Sequence, residues 1–205
     1  MIEIKKLYKR FEDKVVYKDF NLKIEDGEFV VLTGESGCGK STLLNMIGGI
    51  EAADDGEILV DGMDILKNKN KRKYYHDIVG FLFQNFALLE NKTVLNNLSI
   101  IQKDGRSEIS IDDALKRVGL SKMIYQKVYK LSGGEQQRLA LARLMVKRCS
   151  LVLADEPTGS LDEKNAEIVM KILHELNKMG KTVLVVTHSQ KIVEAASRVV
   201  YLPHS

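Results

Sequence analysis

A glycine-rich stretch early in the chain has the spacing of a phosphate-binding loop. Residues 34–41 read GESGCGKS and fit the pattern GxxxxGK[ST]. They lie between an apolar run at 29–32 and a helical pattern at 42–47, which is the context this motif needs. The alternative is a glycine-rich turn with an incidental Lys-Ser. The predicted phosphate-side contacts are Gly34, Glu35, Ser36, Gly37, Cys38, Gly39, Lys40, Ser41 and Thr42.

The chemistry of this loop would be the binding of a nucleotide triphosphate. Glycines let backbone N–H groups turn toward phosphate oxygens, and the start of a helix adds partial positive charge. In this interpretation Lys40 reaches the β- and γ-phosphates, and Ser41 offers its hydroxyl to Mg²⁺.

Two adjacent carboxylates follow a second apolar run. Residues 151–154 are LVLA, and Asp155 and Glu156 come directly after them. Because side chains alternate along an extended chain, one carboxylate can hold Mg²⁺ while the other faces a water molecule. Taken alone, the pair has an ordinary exit from strand to loop as its alternative.

The sequence LSGGE at 131–135 predicts a second anion site. Ser132 and Glu135 have the spacing of a helix capping box, which explains both residues structurally. The box does not explain Gly133 and Gly134, since glycine in a helix costs about 1 kcal/mol relative to alanine. Bare backbone at a helix start lets an anion approach closely, and the nucleotide of another subunit is the candidate.

His188 follows the apolar run at 182–186 and Thr187. A lone histidine is usually a surface or core residue, but ligands of α/β proteins bind at the carboxyl ends of strands. The residues alone leave open whether His188 contacts the γ-phosphate.

The surrounding pattern predicts an α/β protein with a mostly parallel sheet. Strand-like runs occur at 29–32, 58–60, 79–83, 151–154, 182–186 and 198–202. Residues 162–179 have helical periodicity before Gly180, and residues 93–147 are mainly helical. We therefore expect one domain over 1–205, with a catalytic core at 1–92 and 148–205 and a helical subdomain at 93–147.

Composition limits the remaining possibilities. The chain has 31 Lys+Arg and 28 Asp+Glu in 205 residues, and a net charge of +3 gives no reason to expect nucleic-acid binding. The basic run at 67–73 is either a solvated loop or a patch for anionic headgroups. No segment has the ~20 apolar residues of a membrane span. We expect a cytoplasmic protein, with Cys38 and Cys149 as reduced thiols.

Together these motifs resemble those of the ATP-binding-cassette (ABC) transporter ATPases over essentially the whole chain. The family's motifs occur in order: the Walker A loop at 34–42, the Q-loop Gln84, the LSGGE signature at 131–135, the Walker B strand at 151–155 with Glu156, the D-loop at 160–162 and the switch histidine His188.

The resemblance implies a P-loop NTPase core with an N-terminal antiparallel β portion and an inserted helical subdomain. It implies a catalytic set of Glu156, His188, Lys40 and Gln84, and Mg²⁺ ligands Ser41, Gln84 and Asp155. Phe11 would stack on adenine. Asp162 would join residues 132–135 in contacting the ATP of the partner subunit in a head-to-tail dimer.

A membrane permease would be the second partner, which would place the protein on the inner face of the cell membrane. DEPTGSLD at 155–162 and residues 83–98 look like the macrolide-export and lipoprotein-release group, although Glu90 stands where that group usually has proline. A small subset of bacteriocin exporters is also similar. The implied cargo is a peptide, drug or lipoprotein, and the alternatives are a soluble ABC ATPase of DNA repair or translation and a non-hydrolysing binding module.

Overall fold

The computed structural model describes residues 1–67, 71–159 and 161–202. The strands are β1 (Ile2–Phe11), β2 (Lys14–Ile24), β3 (Phe29–Thr33), β4 (Asp55–Val60), β5 (Met63–Asp64), β6 (Val79–Leu82), β7 (Leu151–Asp155), β8 (Thr182–Val186) and β9 (Arg198–Tyr201). The helices are α1 (Lys40–Ile47), α2 (Val94–Ser99), α3 (Ile111–Arg117), α4 (Gly133–Val146), α5 (Glu163–Lys178) and α6 (Gln190–Ala195).

The predicted parallel sheet is present, with strand order β6-β7-β8-β3-β9. Every residue of β3 and β8 is buried, as a strand covered on both faces requires. In the register of the sheet, Leu32 lies beside Val186, and Val186 lies beside Asp155. The carboxyl ends of β3, β7 and β8 therefore meet at one edge.

The N-terminal part of the chain forms a separate antiparallel sheet, with order β2-β1-β4-β5. Strands β1 and β2 are a hairpin in which Phe11 pairs with Lys14. Irregularities in the register interrupt this pairing at several points along β1. The tip of the hairpin lies beside the loop that follows β3, where Lys14 contacts Gly37.

Alternate residues of the parallel strands contribute to two hydrophobic cores. On one face, Val152 and Val183 pack with apolar residues of α2 to α5. On the other face, Leu153 and Leu184 pack with α1 and the antiparallel sheet. This alternation follows from the two-residue period of a strand. The parallel sheet is thus the middle layer between a β-rich side and a helical side.

Helices dominate residues 93–147, with 3₁₀ turns at 103–105, 121–123 and 128–130. The apolar side chains of this segment, such as Leu141 and Leu144, belong to the same core as Val152 of the sheet. The segment therefore shares its core with one face of the sheet, a feature that helical periodicity alone did not predict.

The predicted ends of the long helix before Gly180 are close to those observed. The helix expected over 162–179 spans Glu163–Lys178 and is capped by Asp162. Part of the basic run at 67–73 lies outside the described residues; within the described part, Lys67 pairs with Glu57 at 3.1 Å. In the described ranges, no helix is both long enough and apolar enough to cross a membrane.

Candidate nucleotide-binding site

A cleft of about 680 Å³ opens at the edge where β3, β7 and β8 end. Its lining combines the phosphate loop with residues from four other segments. The lining residues are Phe11, Lys14, Val16, Ser36, Gly37, Gly39, Lys40, Ser41, Thr42, Gln84, Glu156, Gly159, Val186 and His188. The structure thus brings together predicted site residues from Phe11 near the start of the chain to His188 near its end.

The loop between β3 and α1 needs glycine for reasons of both conformation and space. Gly39 precedes α1 with φ of 95°, a left-handed conformation that side chains disfavour. A Cβ atom at this position would also lie 2.3 Å from Cγ1 of Val16 on β2. The antiparallel sheet therefore packs directly against the backbone of the phosphate loop.

Lys40 is buried inside the curve of this loop. Its ammonium donates hydrogen bonds to the carbonyl oxygens of Gly34 (2.9 Å) and Glu35 (2.7 Å) and lies 3.7 Å from Sγ of Cys38. Cys38 is itself buried, so the thiol belongs to the interior of the loop. The positive charge is held next to the place where phosphate oxygens would bind.

Ser41 and Asp155 join the phosphate loop to the end of β7. The Ser41 hydroxyl donates a hydrogen bond to Oδ1 of Asp155 at 3.0 Å. Burial raises the pKa of the Asp155 carboxyl, while the Ser41 hydrogen bond and the charge of Lys40 oppose this change. Gln84 lines the same cleft. Hydroxyl, carboxylate and amide oxygens are hard ligands, so the three residues fit Mg²⁺.

Magnesium would not be enclosed by protein ligands alone at this site. Among the described residues no group of three or more His, Cys, Asp and Glu side chains could hold a metal ion. Mg²⁺ commonly uses one or two carboxylates and completes its shell with water and substrate phosphates. The donor set observed here matches that pattern.

Glu156 lies between the end of β7 and the end of β8. Its Oε2 accepts a hydrogen bond from the Thr187 hydroxyl at 3.2 Å, and its Oε1 lies 3.6 Å from Nε2 of His188. Oε1 is buried and has no hydrogen-bond partner within the described structure. A buried carboxylate oxygen of this kind needs a donor, and water is the simplest one.

The hairpin tip supplies two further groups to the cleft. Phe11 is 45% exposed, and the ammonium of Lys9 lies 4.5 Å from the centre of its ring. Lys14 donates a hydrogen bond to the carbonyl oxygen of Gly37 at 3.1 Å. Sequence reasoning missed Lys14, because only the pairing of β1 with β2 brings it to the phosphate loop.

The signature residues 132–135 are not part of this cleft. They form the predicted capping box at the start of α4: Glu135 N–H donates to the Ser132 hydroxyl at 3.3 Å, and Ser132 N–H donates to the Glu135 carboxylate at 2.8 Å. The N–H groups of Gly133 and Gly134 have no acceptor in the part of the chain that is described.

The two glycines have different surroundings. A Cβ atom on Gly134 would lie 2.8 Å from the amide nitrogen of Asn165, so a side chain there would displace that amide. A Cβ atom on Gly133 would meet no atom of the described residues within 4 Å. The sequence argument treated both residues as bare backbone for an anion, but Gly134 also has a packing contact within the chain.

Asp162 also lies outside the cleft and caps α5. Its carboxylate accepts hydrogen bonds from the backbone (2.8 Å) and the side chain (2.7 Å) of Asn165, and these bonds lower its pKa. Asn165 in turn accepts a hydrogen bond from Arg138 of α4. Asp162 is thereby fixed beside the first turn of α4. Ser160, the first residue of the predicted D-loop, lies outside the described residues.

Comparisons with known proteins agree with these motifs. The family model described as ABC transporter matches residues 17–159. YvrO, an ABC transporter ATP-binding protein of Bacillus subtilis, is 38% identical over 97% of this chain and 90% of its own length. The macrolide export ATP-binding/permease protein MacB of Bdellovibrio bacteriovorus is 39% identical over 98% of this chain and 32% of its own. The methionine import ATP-binding protein MetN of Clostridium acetobutylicum is 39% identical over 95% of this chain and 63% of its own length.

A solved structure of the ATP-binding cassette MJ0796, a dimer in a post-hydrolysis state bound to ADP and Pi, superposes with a TM-score of 0.85. It is 34% identical, and the match covers 98% of this chain and 94% of that one. The chain contains the parallel sheet predicted from the sequence pattern and the antiparallel sheet that the family resemblance implied. With the family model covering more than half of its length, the chain belongs to the ABC transporter family as an ATP-hydrolysing ATP-binding cassette.

Proposed function

We propose that two copies of this chain close head to tail around two ATP molecules and drive a separate membrane permease. The observation that carries the proposal is the separation of two anion-binding features. The phosphate loop, Glu156 and His188 line one cleft, and Asp155 is hydrogen-bonded to Ser41 of that lining. The start of the signature helix lies outside the cleft, with N–H groups that have no acceptor among the described residues. Each cleft would be completed by residues 132–135 and Asp162 of the other copy.

Within one subunit, Lys40 would bind the β- and γ-phosphates. Its ammonium now donates to two carbonyl groups of the loop, and phosphate oxygens would take the place of these acceptors. The loop residues 34–42 would surround the phosphates with backbone N–H groups, and Phe11 would stack on the adenine. Aromatic stacking suits the half-exposed position of Phe11 at the mouth of the cleft.

Ser41, Asp155 and Gln84 would hold Mg²⁺, which neutralises phosphate charge when bound. The hydrogen bond between Ser41 and Asp155 already places two of these oxygens 3.0 Å apart. A cation beside Asp155 would favour its ionised form and offset the effect of burial on its pKa.

Glu156 would orient the water that attacks the γ-phosphorus. Its free Oε1 accepts a hydrogen bond from the water, and the bond from the γ-phosphorus to the bridging oxygen of ADP breaks as the new P–O bond forms. The proton of the water passes to Glu156 or to phosphate. His188, with Nε2 3.6 Å from Glu156, would hold the γ-phosphate and the water in register.

The segment after Gln84 would transmit the nucleotide state to the permease. Arg143 of α4 donates hydrogen bonds to the carbonyl oxygens of Phe86 (2.9 Å) and Ala87 (2.6 Å). This contact ties the segment containing Gln84 to the helix that begins with the signature residues. We therefore propose that residues 93–147 form a helical subdomain that moves when ATP binds. Residues 1–92 and 148–205 would form the catalytic core.

The comparisons support a dimer and a membrane partner. MJ0796 was solved as a dimer, and MacB is named as an ATP-binding/permease protein. We propose export of a peptide, drug or lipoprotein-type cargo; MacB is named for macrolide export, whereas MetN is named for methionine import. Docking on a permease would place the chain at the inner face of the cell membrane. These relatives include no DNA-repair or translation protein.

The test is Glu156→Gln, which keeps the shape of the side chain but cannot accept a proton. We expect turnover to fall by about 10²–10⁴, while ATP binding is retained and ATP with Mg²⁺ produces a stable dimer on size-exclusion chromatography. Glu108→Gln, on the exposed surface of the helical segment, is the control and should behave like the unchanged protein. A Glu156→Gln protein that stays monomeric, or that hydrolyses ATP at the unchanged rate, contradicts the proposal.

A further inference from the structure

Thr187 is a completely buried polar residue between the end of β8 and His188. Its hydroxyl contacts two groups: Oε2 of Glu156 at 3.2 Å and the backbone N–H of Ser189 at 3.0 Å. A hydroxyl has one proton, and a backbone N–H can only donate. The Thr187 hydroxyl therefore accepts from Ser189 and donates to Glu156, so the direction of both hydrogen bonds is fixed.

Glu156 is held on two sides by the end of β8. Its backbone N–H donates to the carbonyl oxygen of Val186 at 2.9 Å, and its side chain accepts from Thr187. Its backbone has φ of 43°, an uncommon conformation for a residue with a side chain. A residue in such a conformation persists when its surroundings determine it, and the contacts with β8 do so here.

The two oxygens of the carboxylate therefore have different surroundings. Oε2 has the Thr187 hydroxyl as its donor, whereas Oε1 has no hydrogen-bond donor among the described atoms and lies 3.6 Å from Nε2 of His188. A half-turn of the carboxylate would only exchange its two equivalent oxygens. The Thr187 hydrogen bond opposes the intermediate orientations, so it holds the plane of the group and leaves one oxygen without a donor from the described chain.

We propose that Thr187 is a positioning residue for ATP hydrolysis: its hydroxyl fixes Oε2 of Glu156 so that Oε1 faces the attacking water beside His188. This inference rests on the proposed role of Glu156. Through Ser189 the same hydroxyl also ties the carboxylate to the loop that carries His188. The two residues on either side of the water would then move as one unit.

Two substitutions separate this role from simple packing. Thr187→Val keeps the branched shape but removes the hydroxyl, and Thr187→Ser keeps the hydroxyl but removes the methyl group. We expect kcat to fall roughly 10- to 100-fold in Thr187→Val, the range for loss of a hydrogen bond to a charged group. The KM for ATP should stay within about twofold, because the phosphate contacts are unchanged. Thr187→Ser should retain most of the kcat.

A packing role predicts the opposite order, with Thr187→Val active and Thr187→Ser impaired by the cavity that it leaves. That order would overturn the proposal. If Thr187→Val fails to fold, Thr187→Ala is compared with Thr187→Ser instead. Alanine and serine both lack the methyl group of threonine and differ from each other only by the hydroxyl. Equal kcat values in this pair would also overturn the proposal.

A second measurement asks whether Thr187 acts through Glu156. In the Glu156→Gln background, adding Thr187→Val should leave the residual rate within about twofold, because residues that act as one unit are not additive. A further drop of the size seen in the unchanged protein would show that Thr187 acts elsewhere. Full turnover in Glu156→Gln alone would remove the proposed function itself. If Glu156→Gln is inactive and Thr187→Val, assayed separately, is fully active, the role of Thr187 is contradicted and the role of Glu156 stands.

Discussion

The phosphate loop and the start of the signature helix are the two proposed anion sites, and they differ in how many of their polar groups have a partner in the same chain. In the loop, Lys40 donates to two carbonyl groups and Ser41 to Asp155. At the start of α4, the capping box pairs Ser132 with Glu135, but the neighbouring backbone N–H groups have no acceptor among the described residues. A capping box therefore leaves backbone donors free for a ligand, because the box uses side chains and satisfies only part of the first turn.

Disabling the two regions in separate chains tests whether the phosphate loop of one subunit and residues 132–135 of another form one site. Lys40→Ala removes the charge beside the phosphates, and Ser132→Arg fills the helix start. Each protein alone should lose ATPase activity, because both composite sites of each homodimer are damaged. After mixing, a heterodimer carries both changes in one site and leaves the other intact, so random pairing restores about a quarter of the sites. Steady-state ATPase assays before and after mixing measure this recovery.

The matched control is Ser110→Arg, since Ser110 also caps a helix, with its hydroxyl accepting from Asp113 N–H at 3.1 Å, but lies on α3 outside the cleft. It should cost about 1 kcal/mol of stability through loss of the cap and leave the ATPase rate unchanged. If one intact site cannot turn over alone, ATP-dependent dimers of the mixture replace activity as the readout. Strong activity of Ser132→Arg by itself would show that 132–135 only caps a helix.

The two glycines of the signature allow a finer comparison inside one helix turn. Gly133→Ala places its methyl group against no described atom and should be neutral or stabilising by up to about 1 kcal/mol. Gly134→Ala should be less stable than Gly133→Ala by about 1–3 kcal/mol, the usual cost of overpacking, because its methyl group displaces the Asn165 amide. ATP-dependent dimerisation of Gly133→Ala should nevertheless weaken, since in the proposed dimer the methyl group would face the partner's nucleotide. Urea denaturation and analytical ultracentrifugation measure the two effects.

Asn165→Ala provides a control for the packing explanation. Combined with Gly134→Ala, it should recover part of the lost stability, because the clashing amide is gone. If Gly133→Ala forms ATP-dependent dimers and hydrolyses ATP like the unchanged protein, the exposed glycine has no role toward a partner. The second anion site would then have to depend on Ser132 alone.

The smallest expected effect concerns the mouth of the cleft. Phe11→Ala should weaken ATP binding by about 1–3 kcal/mol, the range measured for stacking of a base on an aromatic ring. Phe11→Tyr should keep the affinity, since the ring is retained. Tyr125→Ala, another exposed aromatic residue outside the cleft, serves as the control. Isothermal titration calorimetry decides the matter, and an unchanged affinity in Phe11→Ala would place the adenine elsewhere.

The sequence predicted the elements whose signal is local. The six apolar runs became strands of the two sheets, and the helix expected over 162–179 differs from α5 by one residue at each end. Strand β2 was not predicted, since six of its eleven residues are exposed and the pairing with β1 is irregular. A strand that is held by its neighbour and only partly buried carries little periodicity of its own.

The same distinction holds for the site. Lys40, Asp155, Glu156 and His188 could be named from the sequence, because each carries a titratable group in a contiguous motif or within two residues of an apolar run. Parallel strands bring the ends of such runs to one edge. Lys14, Thr187 and Asn165 could not be named, since their contacts reach residues 23, 31 and 27 positions away. Motif chemistry depends on neighbours along the chain, whereas the orientation of Glu156 and the space beside Gly134 depend on packing between elements. Only the tertiary structure determines that packing.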